Sequence, residues 1–574
     1  MSNIQIFLWD LKIRNSKFYF RGNNCNVYKS IRALPFQLSR LNTNSFGNDN
    51  IEDYFYRQNW LLNTNVIFIP KLLIMRNILI LSLILNSIFC FSQEPKSYSG
   101  NYDELYRPAF HFSPQSMWMN DPNGLIFYNG KYHLFYQYYP KDIVWGPMHW
   151  GHAESTDLIH WKHLPIALYP DSLGYIFSGS AVIDKNNTSG FGKNAMVAIF
   201  TYHNEEMFKQ GRDNIQSQGI AYSLDEGKTW TKYRGNPVLN NTGEKDFRDP
   251  KVFWNEKIEK WNMVLAAGDR IKIFSSSDLK TWQFESNYQP KVSEVYGVWE
   301  CPDLFKMKVD GDEKWIMILS HNQNAANGGS GTKYVVGDFD GKNFVALQEP
   351  KWLDYGTDNY AGVSFSNVPG NKIIILSWMS NWDYATKTPT EVWRSAMTLP
   401  RELELVHDVN SYYLSQKVVE QFSSIMVESF KSKNLETPFI KKNLDLSQTC
   451  ISFQSENIQN LVITFFNDKN EKFTIELADN QIITNRNKSG KIDFSDKFAS
   501  KAQVMSLENV KINSFQLILD KSSIEILVND GRFSMTNLFF PIEKYTSLNI
   551  DSKKKTIIRN LNISNIKNAW KSGN

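Results

Sequence analysis

Three acidic residues beside prolines have the type and spacing to act together in catalysis. Asp121 stands in "WMNDPNG", Asp249 in "FRDPK" and Glu300 in "WECPD", and each motif opens a strand-like apolar run. Carboxyl groups that share a cleft raise one another's pKa, so one can hold a proton while another has lost it. A structural role competes with this interpretation, because Asp before Pro is a common turn opener and the residue before Pro favours extended conformations. For any one of the three alone, the turn role is the simpler explanation.

A repeat organises the first two thirds of the chain and gives these acids a context. Apolar strand candidates recur at intervals of roughly 55 to 65 residues, and the first four are followed by a turn signature rich in Ser, Asp and an aromatic residue. Self-similarity at this period, with several strands per unit, is typical of a β-propeller. The runs are "YHLFYQY", "MVAIFTY", "WNMVLAA", "WIMILSH" and "KIIILSWM", and the turns are "STDLIHW", "SLDEGKTW", "SSDLKTW" and the weaker "GDFDGKNF". We therefore expect five blades over residues 105–403.

Blades are related by rotation about one axis, so equivalent positions of different blades converge on the central channel. We expect Asp121, Asp249 and Glu300 to occupy such positions. Clustered carboxylates repel and cost stability unless they have a use, which favours chemistry over turn-making. Hydrolysis of a glycosidic bond needs one carboxylate and one carboxylic acid, and the many nearby aromatic residues offer platforms for sugar faces. We expect Arg248 to lower the pKa of Asp249 and to keep it ionised.

The pattern changes beyond residue 403. The run "QKVVEQFSSIMVESF" predicts a short helical linker within residues 404–430. Alternating strands such as "NLVITFFND" and "KFTIELAD" then predict a second all-β domain, a sandwich, over residues 431–574. The predicted fold class is all-β, a five-bladed β-propeller followed by a C-terminal β-sandwich.

The N-terminal part has the features of a targeting segment that does not start the chain. Residues 75–92, beginning at Met75, combine one Arg, an apolar run and small residues before Gln93, which is typical of a secretory signal peptide. A retained membrane anchor is the alternative, but the run is shorter than the ~20 residues of a typical span. We expect residues 1–74 to be a non-native or mis-called extension, and the protein to be secreted, periplasmic or at the cell surface.

Charge and cysteine content exclude several classes of partner. The excess of basic residues lies in residues 1–74, which hold nine Lys/Arg and four Asp/Glu, and the chain beyond residue 92 has a formal net charge of −2. We therefore expect no nucleic-acid partner and no stable membrane insertion. Cys301 and Cys450 lack metal-ligand spacing. The pairs His149/His152 and His160/His163 are more typical of hydrogen bonds within loops, so no metal and no cofactor is expected.

Several motifs in the same order resemble glycoside hydrolase family 32, the β-fructosidases that include invertases, inulinases and levanases. They are "HFSPQSMWMNDPNGLIFYNGKYHLFYQYYP", "WGHAESTDLIHWKHLPIAL", "FSGSA", "FRDPKVFW" and "WECPDLF". The resemblance covers about residues 105–574, since "VNDGRFSMTNLFFP" is similar to the family's sandwich domain. It implies a fructan or sucrose substrate.

The resemblance also implies a role for each acid. Asp121 matches the nucleophile that forms a covalent fructosyl intermediate with net retention, and Glu300 matches the general acid/base. Asp249, beside Arg248, matches the residue that stabilises the transition state. Further matches line the fructose pocket: Asn120, Gln137, Trp145, Phe177 and Ser178. Trp378 and Trp382 match either its aromatic wall or packing residues.

The subtype follows less directly. Residues 360–403 are similar to exo-acting levanases and inulinases, which implies release of terminal fructose from levan or inulin and cleavage of sucrose. An endo-levanase or a levanbiose-releasing enzyme stays open, as do linkage preference and oligomeric state. A non-catalytic fructan-binding propeller is disfavoured by the intact acidic trio. A sialidase shares the turn "SLDEGKTW", but no arginine trio stands at corresponding blade positions.

Overall fold

The computed structural model describes residues 102–290, 297–409, 411–455, 460–478 and 480–571, with the backbone of two short strands near the N-terminus. The chain divides into two units, Met1–Gln93 and Glu94–Asn574. In the first, Ile13–Arg14 pairs antiparallel with Lys17–Phe18. The extension expected at 1–74 otherwise lies outside the described residues, and so does the signal segment expected at 75–92. The second unit is described below.

Five antiparallel sheets follow one another along residues 117–418 and confirm the predicted five-bladed propeller. Blade 1 comprises Met117–Tyr128, Lys131–Tyr139, His149–Ser155 and Lys162–Leu168. Blade 2 comprises Tyr175–Asp184, Ala195–His203, Gln216–Ser223 and Thr231–Lys232. Blade 3 comprises Phe247–Asn255, Lys260–Ala267, Arg270–Ser276 and Gln283–Tyr288. Blade 4 comprises Trp299–Val309, Asp312–His321, Gly331–Phe339 and Phe344–Ala346, with Lys351–Trp352 beside its third strand. Blade 5 comprises Tyr360–Ser364, Ile373–Met379, Arg401–Asp408 and Ser411–Val418, with Ala396–Met397 beside its second strand.

The ring is closed by Trp393–Arg394, which pairs in parallel with Met117 and Trp118 of blade 1. The five predicted apolar runs are the second strands of the blades, and most of their residues are buried. The Ser-and-Asp turns join third to fourth strands. In the turn after blade 1's third strand, Ser155 Oγ donates to Asp157 and accepts from the backbone N–H of Leu158. These turns thus help to fix the outer strands of the first four blades.

The helical linker predicted at residues 404–430 is wrong for most of its length. Arg401–Asp408 and Ser411–Val418 form the third and fourth strands of blade 5, so the propeller ends near residue 418 rather than 403. The apolar residues here alternate with a period of two, which is typical of a strand, so Leu403 and Leu405 both point into the core beside Leu414. Helical backbone is confined to the 3₁₀ turn Glu420–Ile425.

The C-terminal domain consists of two six-stranded antiparallel sheets and confirms the predicted sandwich. One sheet contains, in spatial order, Met426–Glu436, Ile557–Ile566, Thr449–Gln454, Ser514–Asp520, Ser523–Val528 and Phe533–Leu538. The other contains Phe439–Lys441, Ser547–Ser552, Leu461–Phe466, Lys472–Ala478, Gln481–Lys488 and Gln503–Ser506. Alternate residues of both sheets form one apolar core. Within the described part of the chain, the remaining helical segments are Glu205–Lys209, Pro369–Asn371 and Ala385–Lys387.

Candidate active site

The first strand of every blade carries a β-bulge at the same height. In blade 1 the register jumps between Met119 and Pro122, so Asn120 and Asp121 together oppose Gln137. The same two-against-one arrangement recurs in the other blades at 177–178, 249–250, 301–302 and 361–362. A bulge bends the strand and re-aims its side chains. Five bulges around one axis therefore turn side chains toward a common space at one end of the channel.

The three acids lie at these bulges. We expected them to occupy equivalent positions, but their positions differ. Asp121 is the second residue of its bulge, Asp249 is the first of its own, and Glu300 immediately precedes the bulge of blade 4. The reason is that the prolines differ in register, since Pro122 follows the bulge whereas Pro250 is part of one. Asp249 has a φ of 66°, a strained value for a residue with a side chain.

Asp121 is held rigidly and is almost completely buried. Its Oδ2 accepts a hydrogen bond of 2.7 Å from Ser178 Oγ, and its Oδ1 accepts one of 3.0 Å from Asn120 Nδ2. Asn120 is fixed in turn by Trp118, whose ring N–H donates to its side-chain oxygen at 2.8 Å. Burial raises the pKa of Asp121, the charge of Glu300 raises it further, and the Ser178 and Asn120 bonds oppose the shift. The carboxylate is thus oriented by Ser178 and Asn120, and Asn120 is oriented by Trp118.

Asp249 lies beside Arg248, which lowers its pKa as expected but does not hold it at or below its ordinary value. Burial raises its pKa to about 7, since the lowering effect of Arg248 is outweighed by burial together with the charges of Glu300 and Asp121. The closest approach between Arg248 Nε and the Asp249 carboxylate is 4.0 Å. Asp249 instead makes two hydrogen bonds that involve backbone N–H groups. Its own N–H donates to Thr201 Oγ1, and its side-chain Oδ2 accepts from the N–H of Cys301 at 3.0 Å.

Arg248, which we expected to act on Asp249, pairs more closely with Glu300. Arg248 Nη2 donates to Glu300 Oε1 at 3.0 Å, while its Nη1 donates to Asp246 at 2.6 Å. The other carboxylate oxygen of Glu300 accepts a hydrogen bond from the hydroxyl of Tyr360. The Glu300 side chain keeps 19% of its surface exposed, so it faces the opening of the site. A group that exchanges protons with water and with a leaving group needs this access.

Cys301 separates the two aspartates. Its Sγ lies 3.5 Å from Asp121 Oδ2 and 3.7 Å from Asp249 Oδ2. Burial raises the pKa of this thiol, and the three surrounding carboxylates raise it further. It is therefore a protonated donor, in agreement with a packing role rather than a nucleophilic one.

The remaining residues predicted to line the pocket fall into two groups: those that lie at its surface and Trp378, which packs behind them. Gln137 lies across the bulge from Asp121, and Phe177 precedes Ser178 in the bulge of blade 2. Trp145 is 38% exposed and meets Phe177 edge to face, with ring centroids 6.0 Å apart. Trp382 keeps part of its surface exposed and stacks on Trp118.

Trp378 does not form part of the aromatic wall. It has no exposed surface and lies behind Trp382, with ring centroids 4.8 Å apart. Of the two roles left open for the pair, packing is therefore correct for Trp378.

The four histidines of the H-x-x-H pairs have separate partners. His149 donates to the carbonyl of Pro147, His152 bonds His133, His160 bonds Asp157 and His163 bonds Tyr102. Within the described residues, no group of three His, Cys, Asp or Glu side chains is arranged to hold a metal ion.

Sequence reasoning missed the residues that support the acids. Tyr360 bonds Glu300, Thr201 bonds Asp249, and Gln216 accepts from both the Phe247 N–H and Arg248. They lie in blades 5 and 2, far along the chain from the acids they serve. The repeat itself is the signal that would have found Tyr360, because it directly precedes the bulge of blade 5, as Glu300 does in blade 4.

Two family profiles cover nearly all of the propeller and the sandwich. Residues 111–418 match the glycosyl hydrolases family 32 N-terminal domain, and residues 414–565 match the family 32 C-terminal domain. A levanase of Bacillus subtilis is 42% identical over 515 residues, which are 85% of this chain and 74% of that protein. An extracellular exo-inulinase of Aspergillus niger is 38% identical over 487 residues, 77% of this chain and 90% of that protein.

Solved structures agree with this assignment. An exo-inulinase from Aspergillus awamori superimposes with a TM-score of 0.75 at 34% identity, covering 82% of this chain and all of that one. A fructofuranosidase variant from Schwanniomyces occidentalis, complexed with fructosylnystose, gives a TM-score of 0.71 at 32% identity, covering 83% of this chain and all of that one. The chain belongs to glycoside hydrolase family 32 and is a levanase-like β-fructosidase.

Proposed function

We propose that this glycosidase releases terminal fructose from levan- and inulin-type fructans, and also cleaves sucrose, by a retaining double displacement. The observation that carries the proposal is the different placement of two carboxyl groups in one site. Asp121 is buried and fixed by Ser178 and Asn120, whereas Glu300 is partly exposed between Arg248 and Tyr360. A fixed buried carboxylate suits a nucleophile, and an accessible one suits an acid that protonates a leaving group.

The reaction then has two steps. Asp121 attacks the anomeric carbon of the fructosyl unit while Glu300 protonates the departing oxygen, which leaves a fructosyl ester on Asp121. Glu300 next takes a proton from water, which attacks the same carbon and restores the Asp121 carboxylate. Asp249 accepts hydrogen bonds from hydroxyls of the bound fructose, and Asn120, Gln137, Trp145, Phe177, Ser178, Arg248 and Trp382 surround that sugar.

Exo action is supported by the relatives, among which a levanase and several exo-inulinases occur. A levanbiose-producing levanase of Bacillus subtilis is also related, at 36% identity. Chromatography of early products from levan, inulin and sucrose tests the choice. We expect fructose alone from both polymers; levanbiose or a ladder of oligosaccharides would contradict exo release of single units.

Retention is tested separately with methanol as a competing acceptor. When methanol attacks the covalent intermediate from the face that the leaving group vacated, the product is the methyl β-fructofuranoside. The α-anomer would instead indicate single displacement and would refute the nucleophilic role of Asp121.

We also propose export, with cleavage of a signal peptide at residues 75–92. The support is that the related inulinases are named extracellular. Among the described residues, no helix is long and apolar enough to cross a membrane. N-terminal sequencing of protein from culture fluid or periplasm is the test. A mature chain that begins before Met75 would contradict the proposal.

A further inference from the structure

One end of the propeller carries both the acids and a second set of loops. In blade 2, Tyr175 of the first strand pairs with His203 of the second, so the connection after His203 lies at the same end as Ser178. The topology is the same in every blade, which places all connections between second and third strands at this end. Trp145 and Trp382 lie in two of them. The blade 2 connection, residues 204–215, carries the helix Glu205–Lys209.

A row of aromatic rings runs from the pocket onto this helix. Trp145 contacts Phe177 with centroids 6.0 Å apart, and Phe177 stacks on His203 at 4.4 Å with their planes 5° apart. His203 in turn contacts Phe208 at 5.8 Å. The row begins beside Ser178, which bonds Asp121. It therefore leads outward from the reacting centre along the face of the propeller.

Phe208 ends this row with 55% of its surface exposed. A singly exposed apolar residue is ordinary, but two facts set this one apart. The helix buries none of its residues, so core packing does not explain a phenylalanine there. The ring is also continuous with the pocket lining, and exposed aromatic rings next to a sugar site are suited to binding the apolar faces of further sugar rings.

The helix is also fixed in place before any ligand binds. Asn204 caps it by accepting from the backbone N–H of Met207 at 3.0 Å. His203 Nε2 lies 3.5 Å from Glu205, and Gln216 Nε2 lies 3.3 Å from His203 Nδ1. Gln216 also contacts Arg248, which bonds Glu300. Such pre-organisation lowers the entropic cost of binding.

We propose that Phe208 is a specificity-determining platform that binds the part of a fructan chain projecting from the pocket. This inference rests on the proposed function and adds chain-length preference to it. A disaccharide such as sucrose fills the pocket and its immediate rim without reaching Phe208. A polymer extends across the rim and stacks on it.

The test is a comparison of kcat/KM on sucrose with kcat/KM on inulin and levan. We expect Phe208→Ala to lower the value for at least one polymer by about threefold to tenfold, and to leave the value for sucrose within twofold. Phe208→Tyr, which keeps the ring, should retain the wild-type ratio. The matched control is Phe284→Ala, because Phe284 is also exposed, at 44%, but lies on the outer strand of blade 3.

Two results for Phe208→Ala would overturn the inference. One is an equal loss of kcat/KM on sucrose and on the polymers, and the other is an unchanged kcat/KM on both polymers. Either would leave the proposed function intact, because the wild-type enzyme still hydrolyses fructan in both cases. A wild-type enzyme that cleaves sucrose but no fructan would instead contradict the proposed function, and the platform with it.

Discussion

At the scale of single residues, the site distributes three carboxyl groups over three environments. Asp121 is buried with two strong side-chain donors, Asp249 is buried with a backbone donor, and Glu300 is partly exposed with Arg248 and Tyr360 as partners. These differences in burial and in hydrogen-bond partners support the proposed division of roles, in which a fixed buried carboxylate attacks and an accessible carboxyl group exchanges a proton.

Substitution of either acid proposed to react, Asp121 or Glu300, should remove most of the turnover without unfolding the protein. We expect Asp121→Asn and Glu300→Gln each to lower kcat by roughly 10³-fold or more, because both roles are lost outright. Both variants are close in size to the wild type, so the thermal midpoint should stay near or above the wild-type value. Asp269→Asn is the control, since Asp269 is exposed in the blade 3 connection at the same end. Near wild-type turnover in either acid variant would refute its assignment.

On the proposed roles, we expect the acidic limb of the pH profile to report on Asp121. The attacking form is the carboxylate, and burial raises its pKa above the ordinary value of 3.8, so activity should fall on the acidic side at a pH above 3.8. Ser178 lowers this pKa by donating a hydrogen bond. Ser178→Ala should therefore move the acidic limb of kcat/KM to higher pH. Ser223→Ala, in the turn at the opposite end of blade 2, should leave the limb in place. A limb that stays fixed or moves to lower pH in Ser178→Ala would contradict the assignment.

At the scale of elements, the bulge of blade 2 shows how the backbone sets the site. Gly179 follows Phe177 and Ser178, and a Cβ there would lie 2.1 Å from the carbonyl oxygen of Ile199 and 2.7 Å from Phe200 Cα. Both neighbours are backbone of the central strand, which has no room to move. The bulge therefore requires glycine directly after the serine that orients Asp121.

Gly179→Ala should weaken both the fold and catalysis. Overpacking of this kind costs about 1–3 kcal/mol, which urea unfolding measures, and kcat should fall because Ser178 is displaced from Asp121. The control is Gly130→Ala, a turn glycine at φ 79° with no atom within 4 Å of the added carbon. It should lose stability through backbone strain and keep its kcat. Unchanged kcat in Gly179→Ala would show that the bulge tolerates the displacement.

The repeat predicts the blades, because a fixed period of buried strands and Ser-Asp turns leaves few other folds. It also brings the acids together, as shown by the cluster around Cys301. Three features of the structure could not be predicted from the repeat. The bulge register of each acid depends on strand pairing, the true partner of Arg248 depends on geometry between blades, and the strands at 401–418 were hidden by apolar spacing around Phe422 that also fits a helix. The first two are set by tertiary contacts that no local pattern encodes. The third was nevertheless visible in the alternating apolar residues of Arg401–Asp408.

At the scale of the whole molecule, buried charges join the propeller to the sandwich. His111 lies between Asp520 and Glu525, with a distance of 2.8 Å to each. Glu525 also pairs with Arg401 of blade 5 at 2.5 Å. Burial would lower the pKa of His111, but the two carboxylates raise it to about 9. Burial would raise the pKa of Glu525, but Arg401 and then His111 lower it to about 2. The sandwich thus supplies two buried carboxylates, Asp520 and Glu525, to His111 and Arg401, and Arg401 also pairs with Asp354 at 3.2 Å.

This network predicts a pH window for stability. His111 has a folded pKa above its ordinary 6.5, so its contribution is complete below pH 6.5 and is lost as the pH rises through about 9. The size of that shift corresponds to about 3 kcal/mol. The raised pKa values of Asp249, to about 7, and of Asp121 also make stability fall as the pH rises, so the difference between the wild type and His111→Gln isolates the contribution of His111. The free energy of unfolding of the wild type should therefore fall between pH 7 and 9. In His111→Gln it should be lower at pH 6 and should fall less over the same interval. His407→Gln removes an exposed His–Asp pair and should keep the wild-type profile. Parallel wild-type and His111→Gln profiles between pH 7 and 9 would show that His111 is neutral in the folded protein.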